Sequence, residues 1–204
     1  MLIENYKNYL NGTLSPRTID IYASKLQTFL NTGYSEDDLI GAVDILIKKH
    51  SAGGVNYNPK DSGNTVAALW KLKDYILAPY VEKFSLSYSE GNSSWVEQNR
   101  HVHAYTIADF AITIEYHTGH FPTRTVTRKL NKKQFYPLID IFREYHSYLS
   151  PSDTAIKNVH GYEASYSYIL DDNHFGDHCA ELFKNTPSGK QGRAKYEAWI
   201  AQYI

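Results

Sequence analysis

At 204 residues, 42% hydrophobic and 21% charged, the chain is long enough for one sizeable core or two smaller ones. A net charge of −1 and a pI near 6.7 give no overall reason to expect nucleic acid, so any such role must rest on local patterning. No apolar run approaches the ~20 residues that span a bilayer, no signal pattern opens the chain, and the lone Cys179 excludes an intramolecular disulfide; a reducing, cytoplasmic setting without a membrane is expected.

The first 78 residues carry eight basic and eight acidic groups and read as four helices. Leu2 to Leu10 is closed by Asn11-Gly12. Ser15 caps the next helix, with Pro16 at its first position, where a missing N–H costs nothing. Ile19, Tyr22, Leu26, Phe29 and Leu30 then form one apolar stripe. Ser35 caps a third helix with an acidic first turn, Glu36 to Asp38, and Leu39, Val43, Leu46 and Ile47 as its core face. A polar loop, 51–63, leads into a fourth with Val66, Leu69, Leu72, Tyr75 and Ile76 inward, which Pro79 should end.

Polar residues with turn character mark 81–103 as a linker. Beyond it the period changes. Phe110, Ile112, Ile114 and Tyr116 alternate with polar positions as a half-buried strand, and 122–130 returns as its Thr- and Arg-rich hairpin partner. Asn131 caps a helix bearing Phe135, Leu138, Ile139 and Phe142, with Pro137 placed to kink it or delay its start. Residues 162–170 alternate again, and helices near 177–185 and 189–203 close the chain. The expected fold class is α+β: a helical domain over 1–80, a linker over 81–103, and an α+β module with an antiparallel hairpin over 104–204.

Two stretches carry a family resemblance. SPRTIDIYASKLQTFL (15–30) resembles the Ser-Pro-x-Thr-x-x-x-Tyr-x-x-x-Leu-x-x-Phe-Leu helix that begins the core-binding domain of tyrosine recombinases, the phage integrases. SGNTVAALWKLKDYIL (62–77) resembles that domain's last helix. The resemblance covers residues 1–78 and implies a four-helix bundle forming half of a clamp on duplex DNA, with Arg17, Lys25, Lys71 and Lys73 facing phosphates. The family's catalytic chemistry needs a His-x-x-Arg pair, which occurs nowhere in this chain: His120 to Arg124 is one residue too long. Recombinase activity is therefore excluded and a binding role is implied.

Three further stretches invite chemistry. TRTVTRKLNKK (123–133) lies in a segment, 100–133, with six basic and two acidic groups. Arg124, Arg128, Lys129 and Lys132 on one strand face, with threonine hydroxyls between, would bind phosphates; the same charges would equally guard an edge strand against pairing. Asp171, Asp172, His174, Asp177 and His178 have metal-binding side chains, but their spacing matches no metal motif, and a strand-to-helix turn explains them as well. Asp109, Glu115 and His117 are a distant approach to a nuclease carboxylate set. The last helix brings basic groups, Lys190, Arg193 and Lys195, and an aromatic face, Tyr196, Trp199 and Tyr203, on which a homodimer would rest.

The expected function is non-catalytic DNA binding of mobile-element or phage type, with no cofactor and duplex DNA as partner. The alternative is a protein-interaction or inhibitor module gripping a protein or nucleoprotein target, with a metal-dependent nuclease behind both.

Overall fold

Side-chain caps set four of the helix starts, the last where the Thr186 hydroxyl accepts from the Gly189 N–H at 2.9 Å. The Ser15 oxygen accepts from the Thr18 N–H, Ser35 and Asp38 form a reciprocal capping box, and Asn131 forms another with Gln134. The computed structural model describes residues 1–90, 102–118, 121–145, 164–170, 173–176 and 186–204. It divides into two compact units, Met1–Ala78 and Pro79–Ile204.

The first unit is built from α1 (Leu2–Leu10), α2 (Pro16–Asn31), α3 (Glu36–Gly41), α4 (Val43–His50) and α5 (Ser62–Lys83), the division falling within α5. One core gathers Leu2, Tyr6 and Leu10 with Ile19, Leu26, Leu39, Leu46, Leu69 and Leu72. Each fully buried leucine contributes about 1.5–3 kcal/mol over leaving it in water. The Tyr6 hydroxyl is buried with them and donates to the Ala68 carbonyl at 3.1 Å, tying α1 to α5. Burial, reinforced by Tyr22 and Asp74, pushes that phenol far above its ordinary range.

Two expectations need correction here. Residues 35–50 are two short helices, because Ala42 (φ −92°, ψ 0°) closes α3 and opens α4. Nor does Pro79 end the last helix, which runs on to Lys83. An interior proline loses its own N–H bond and crowds the carbonyl four residues back, a local cost that the helix bears, and in the turn beyond it Tyr80 lies under the Arg143 guanidinium at 4.6 Å.

The second unit is one six-stranded antiparallel sheet with helices. Its strands are β1 (Ser85–Glu90), β2 (Val102–Ala108), β3 (Ala111–Thr118), β4 (Phe121–Lys129), β5 (Ala164–Leu170) and β6 (Asn173–Gly176), in the order β4-β3-β2-β1-β5-β6. The stretch read as a linker thus supplies β1, an interior strand between β2 and β5. Leu86, Tyr105, Ile107, Ile112 and Ile114 pair across β1–β3 on one buried face. Helix α6 (Lys132–Glu144) adds Phe135, Leu138, Ile139 and Phe142 to the core, with Phe84 edge-on to both phenylalanine rings. Pro137 sits inside α6 without delaying its start.

Phe110 is not a strand residue. With Asp109 it forms the β2–β3 turn at positive φ, 49° and 55°. The cost of that backbone is offset by the ring, 4.7 Å from Phe135, and by the Phe110 carbonyl, which accepts from the Leu130 N–H at 2.7 Å.

Helix α7 (Pro187–Ile200) and the turn after it bury their aromatic residues: Tyr196, Trp199 and Tyr203 are 2%, 5% and 8% exposed. The Trp199 indole N–H donates to the Gln134 carbonyl at 2.8 Å, and the Tyr105 and Tyr196 hydroxyls share a hydrogen bond. These three rings are core of their own unit, which removes the basis for a homodimer through them. The helix expected near 177–185 lies outside the described residues. No helix among the described residues is long and apolar enough to cross a membrane.

Candidate nucleic-acid interface

The eight cations singled out from the sequence separate into two groups. On the helical unit three of four are held by carboxylates. Lys25 is paired with Asp61. Lys71 lies 3.3 Å from Asp74. Lys73, its side chain only 7% exposed, donates to both Asp44 oxygens at 2.7 Å. Lys73, buried against its carboxylate, is a structural pin, whereas Lys25 and Lys71 are half-buried and held by weaker pairs. Arg17 alone of the four is exposed and makes no ion pair among the described residues.

The other group lies on β4 and the start of α6, and it is exposed: Arg124, Arg128, Lys129 and Lys132, with Lys133 beside them. The register corrects the expectation that these cations share a strand face. Arg124 and Arg128 stand opposite Tyr116 and Ile112, on the side of the buried isoleucines. Lys129 stands opposite Ala111 on the other side, with Thr125 and Thr127. The cations therefore straddle the strand, and β4 is the last strand of the sheet on that side. Arg124 and Arg128 are four residues apart, about 13 Å along a strand. The Arg124 guanidinium lies 5.8 Å from the Tyr116 ring centroid, which orients it without neutralising it.

Next to this edge is a hydroxyl-bearing sheet face that the sequence reading did not single out. Ser87 pairs with Thr106, Thr106 with Thr113, and Thr113 with Thr127, so one band of hydroxyls crosses β1 to β4. The Thr113 and Thr127 oxygens are 3.2 Å apart. Period 2 in β2–β4, counted on the polar positions, was the signal for it.

Lys132 and Lys133 open α6, where the helix dipole disfavours positive charge by about 0.3–1 kcal/mol each. The first turn of α6 itself carries no acidic residue, and the capping box of Asn131 and Gln134 satisfies local N–H groups there.

Other candidates fare less well. Asp171, Asp172, Asp177 and His178 lie outside the described residues, while His174 falls in β6, which pairs with β5 where a strand-to-helix turn was expected. No grouping of His, Cys, Asp and Glu among the described residues is arranged to hold a metal ion. Asp109 is in the β2–β3 turn and Glu115 well along β3, on the order of 15 Å apart by strand rise, so these carboxylates do not meet. Lys195 is taken by Glu144, at 2.9 Å from both oxygens, and the Tyr145 hydroxyl and then Glu144 hold its pKa above the ordinary value. A groove of about 350 Å³ between α1 and α2, lined by Ile3, Lys7, Asp20, Ala23, Gln27 and Asn31, contains none of the predicted site residues.

Comparison with known proteins adds no relative: no protein-family model matches the chain, no curated protein matches it, and no solved structure matches it.

Proposed function

We propose that this protein binds duplex DNA without cleaving it, through the β4 edge and the start of α6. The carrying observation is the exposed band of Arg124, Arg128, Lys129, Lys132 and Lys133 bordering a face of threonine and serine hydroxyls. Lysine and arginine beside hydroxyl donors are the groups that contact phosphates, and such contacts give affinity without reading sequence. Residues 1–78, in this reading, form an integrase-type helical unit of a mobile-element or phage protein working in the cytoplasm, with the family's third helix divided into α3 and α4. Support for that is their helix order and the stretches 15–30 and 62–77; Arg17 is the cation left to reach DNA there.

A second reading is favoured by the place of β4 as the last strand of the sheet among the described residues. A protein strand rich in carboxylates could pair with it, drawn by the same cations. Binding to random-sequence duplex at low and moderate salt tests the first reading. Affinity at low salt that falls as salt rises is expected, and no affinity at low salt refutes it. Arg124→Glu/Arg128→Glu/Lys129→Glu keeps the edge charged against self-pairing but should abolish DNA binding. If that variant still binds duplex, the cations serve only to guard the edge.

A further inference from the structure

The loop between α4 and α5 presents apolar side chains where a soluble loop has no packing reason to. Val55 is 85% exposed and Tyr57 46%, and Ile45, on the α4 face shared with Lys48 and Lys49, is 58% exposed. The loop is nevertheless rigidly built. The Gly54 N–H donates to the Ser51 carbonyl at 2.8 Å, Asn56 to Lys49 at 3.0 Å, and Tyr57 to Gly54 at 3.1 Å. At the far end the Asn58 N–H donates to the Ser62 hydroxyl at 2.7 Å. Gly54 rides directly on the end of α4: a Cβ there would be 2.2 Å from the Lys49 carbonyl oxygen.

Positive charge surrounds these side chains. Residues 48–60 contain Lys48, Lys49 and Lys60 and no carboxylate. All three lysines are exposed, without an ion-pair partner among the described residues. The nearest carboxylates in sequence, Asp44 and Asp61, are engaged by Lys73 and Lys25. The charge of the loop therefore faces outward uncompensated, beside an aromatic ring and a branched aliphatic side chain.

We propose that this loop is a separate contact for single-stranded DNA, in which Tyr57 stacks on an unpaired base and Lys48, Lys49 and Lys60 hold the flanking phosphates. The proposal rests on the reading of the protein as a nucleic-acid binder, but it places a second activity on a different unit. An anionic partner is required by the three lysines, and an apolar face immediately beside the anion by Tyr57 and Val55. A single strand supplies both, because its unpaired bases offer a flat face within one nucleotide of each phosphate, whereas a duplex hides those faces in its stack. A lipid surface is the poorer fit. Val55 and Tyr57 alternate with Asn56 and Asn58, so the tip has no continuous apolar surface to enter acyl chains.

The test uses the full chain and fluorescence anisotropy with a labelled oligo(dT) strand, a random-sequence duplex, and vesicles of phosphatidylcholine with phosphatidylserine. Wild type should bind oligo(dT), Tyr57→Ala should weaken that binding about tenfold, and Tyr57→Phe should retain it because the ring is kept. Lys48→Ala/Lys49→Ala/Lys60→Ala should weaken it further and flatten its salt dependence. Thermal unfolding of Tyr57→Ala should match wild type, which separates a lost contact from a lost fold. Failure of wild type to bind oligo(dT) at low salt, or Tyr57→Ala binding as wild type does, overturns the proposal. Vesicle binding without oligo(dT) binding also overturns it, in favour of a membrane. Duplex binding lost through the β4 variants while oligo(dT) binding persists leaves both readings standing; duplex binding absent from wild type while oligo(dT) binding persists sinks the β4 reading alone.

Discussion

Replacing Asp44 with asparagine asks whether Lys73 is a pin of the helical unit or a phosphate contact. The Lys73 ammonium bonds both Asp44 oxygens at 2.7 Å from a side chain 7% exposed, while the Asp44 side chain is 59% exposed. Solvent-exposed pairs contribute about 0–1 kcal/mol, and breaking a buried pair costs about 3–5 kcal/mol, so this half-buried pair falls near 2 kcal/mol. The unit has 78 residues. At about 2.1 cal/mol/K of unfolding entropy per residue, 2 kcal/mol lowers its Tm by about 12 °C. Far-UV circular dichroism of the full chain on heating reads that shift. The double variant Asp44→Asn/Lys73→Met should recover most of it, because a methionine fills the site of the lysine stem without burying charge. DNA affinity at fixed salt should not rise in Asp44→Asn. An unchanged Tm together with tighter DNA binding would refute the reasoning, since it would mean that the carboxylate was restraining a cation meant for phosphate.

Gly192→Ala should destabilise the second unit by about 1–3 kcal/mol in urea unfolding, because the new Cβ would lie 2.6 Å from Cγ of Tyr145; a variant stabilised by its better helix propensity would contradict the packing. His50 is held below its ordinary pKa, chiefly by burial and then by Lys49, with Asp61 opposing. Its neutral form is thus the one the fold prefers, so its contribution is complete above the unfolded value of about 6.5 and is lost as pH falls from there toward the lower folded value. Wild type should lose more stability than His50→Gln on going from neutral pH to about pH 5, and equal losses would contradict the assignment. Gly54→Ala should both destabilise the helical unit and weaken oligo(dT) binding, since the loop must lift off α4; either effect without the other would separate the loop's geometry from its proposed role.

Much of the local structure was legible. Ser15, Ser35 and Asn131 announce helix starts, and each side chain makes its cap. Alternation from Ile112 onward marks β3, and the threonines and arginines that follow mark its partner. Strand β1 was passed over because its inward residues, Leu86 and Tyr88, are interleaved with serines that also read as a turn. Phe110 extended the alternation by one place and fell in the turn, where ring packing outweighs backbone preference. The parity of 124, 128 and 129 already separated the two arginines from Lys129. The ion pairs were not legible in that way: Asp61 is 36 residues from Lys25, and Asp44 is 29 from Lys73, so only the folded chain shows which cations are engaged. Lys48, Lys49 and Lys60 carry no motif of their own in the sequence; their exposure, with that of Val55 and Tyr57, shows only in the folded chain.

The central claim, that duplex DNA is held at the β4 edge, is tested most directly by the slope of log K against log salt for three proteins. Wild type sets the reference, Arg17→Ala/Lys25→Ala probes the helical unit, and Arg124→Ala/Arg128→Ala/Lys129→Ala probes the edge. Each phosphate contact contributes about 0.9 to the slope, so the edge variant should be shallower by about 2.7 and the helical variant by at most about 0.9, from Arg17. A slope unchanged in the edge variant, or one that collapses with Arg17 and Lys25, would contradict the account.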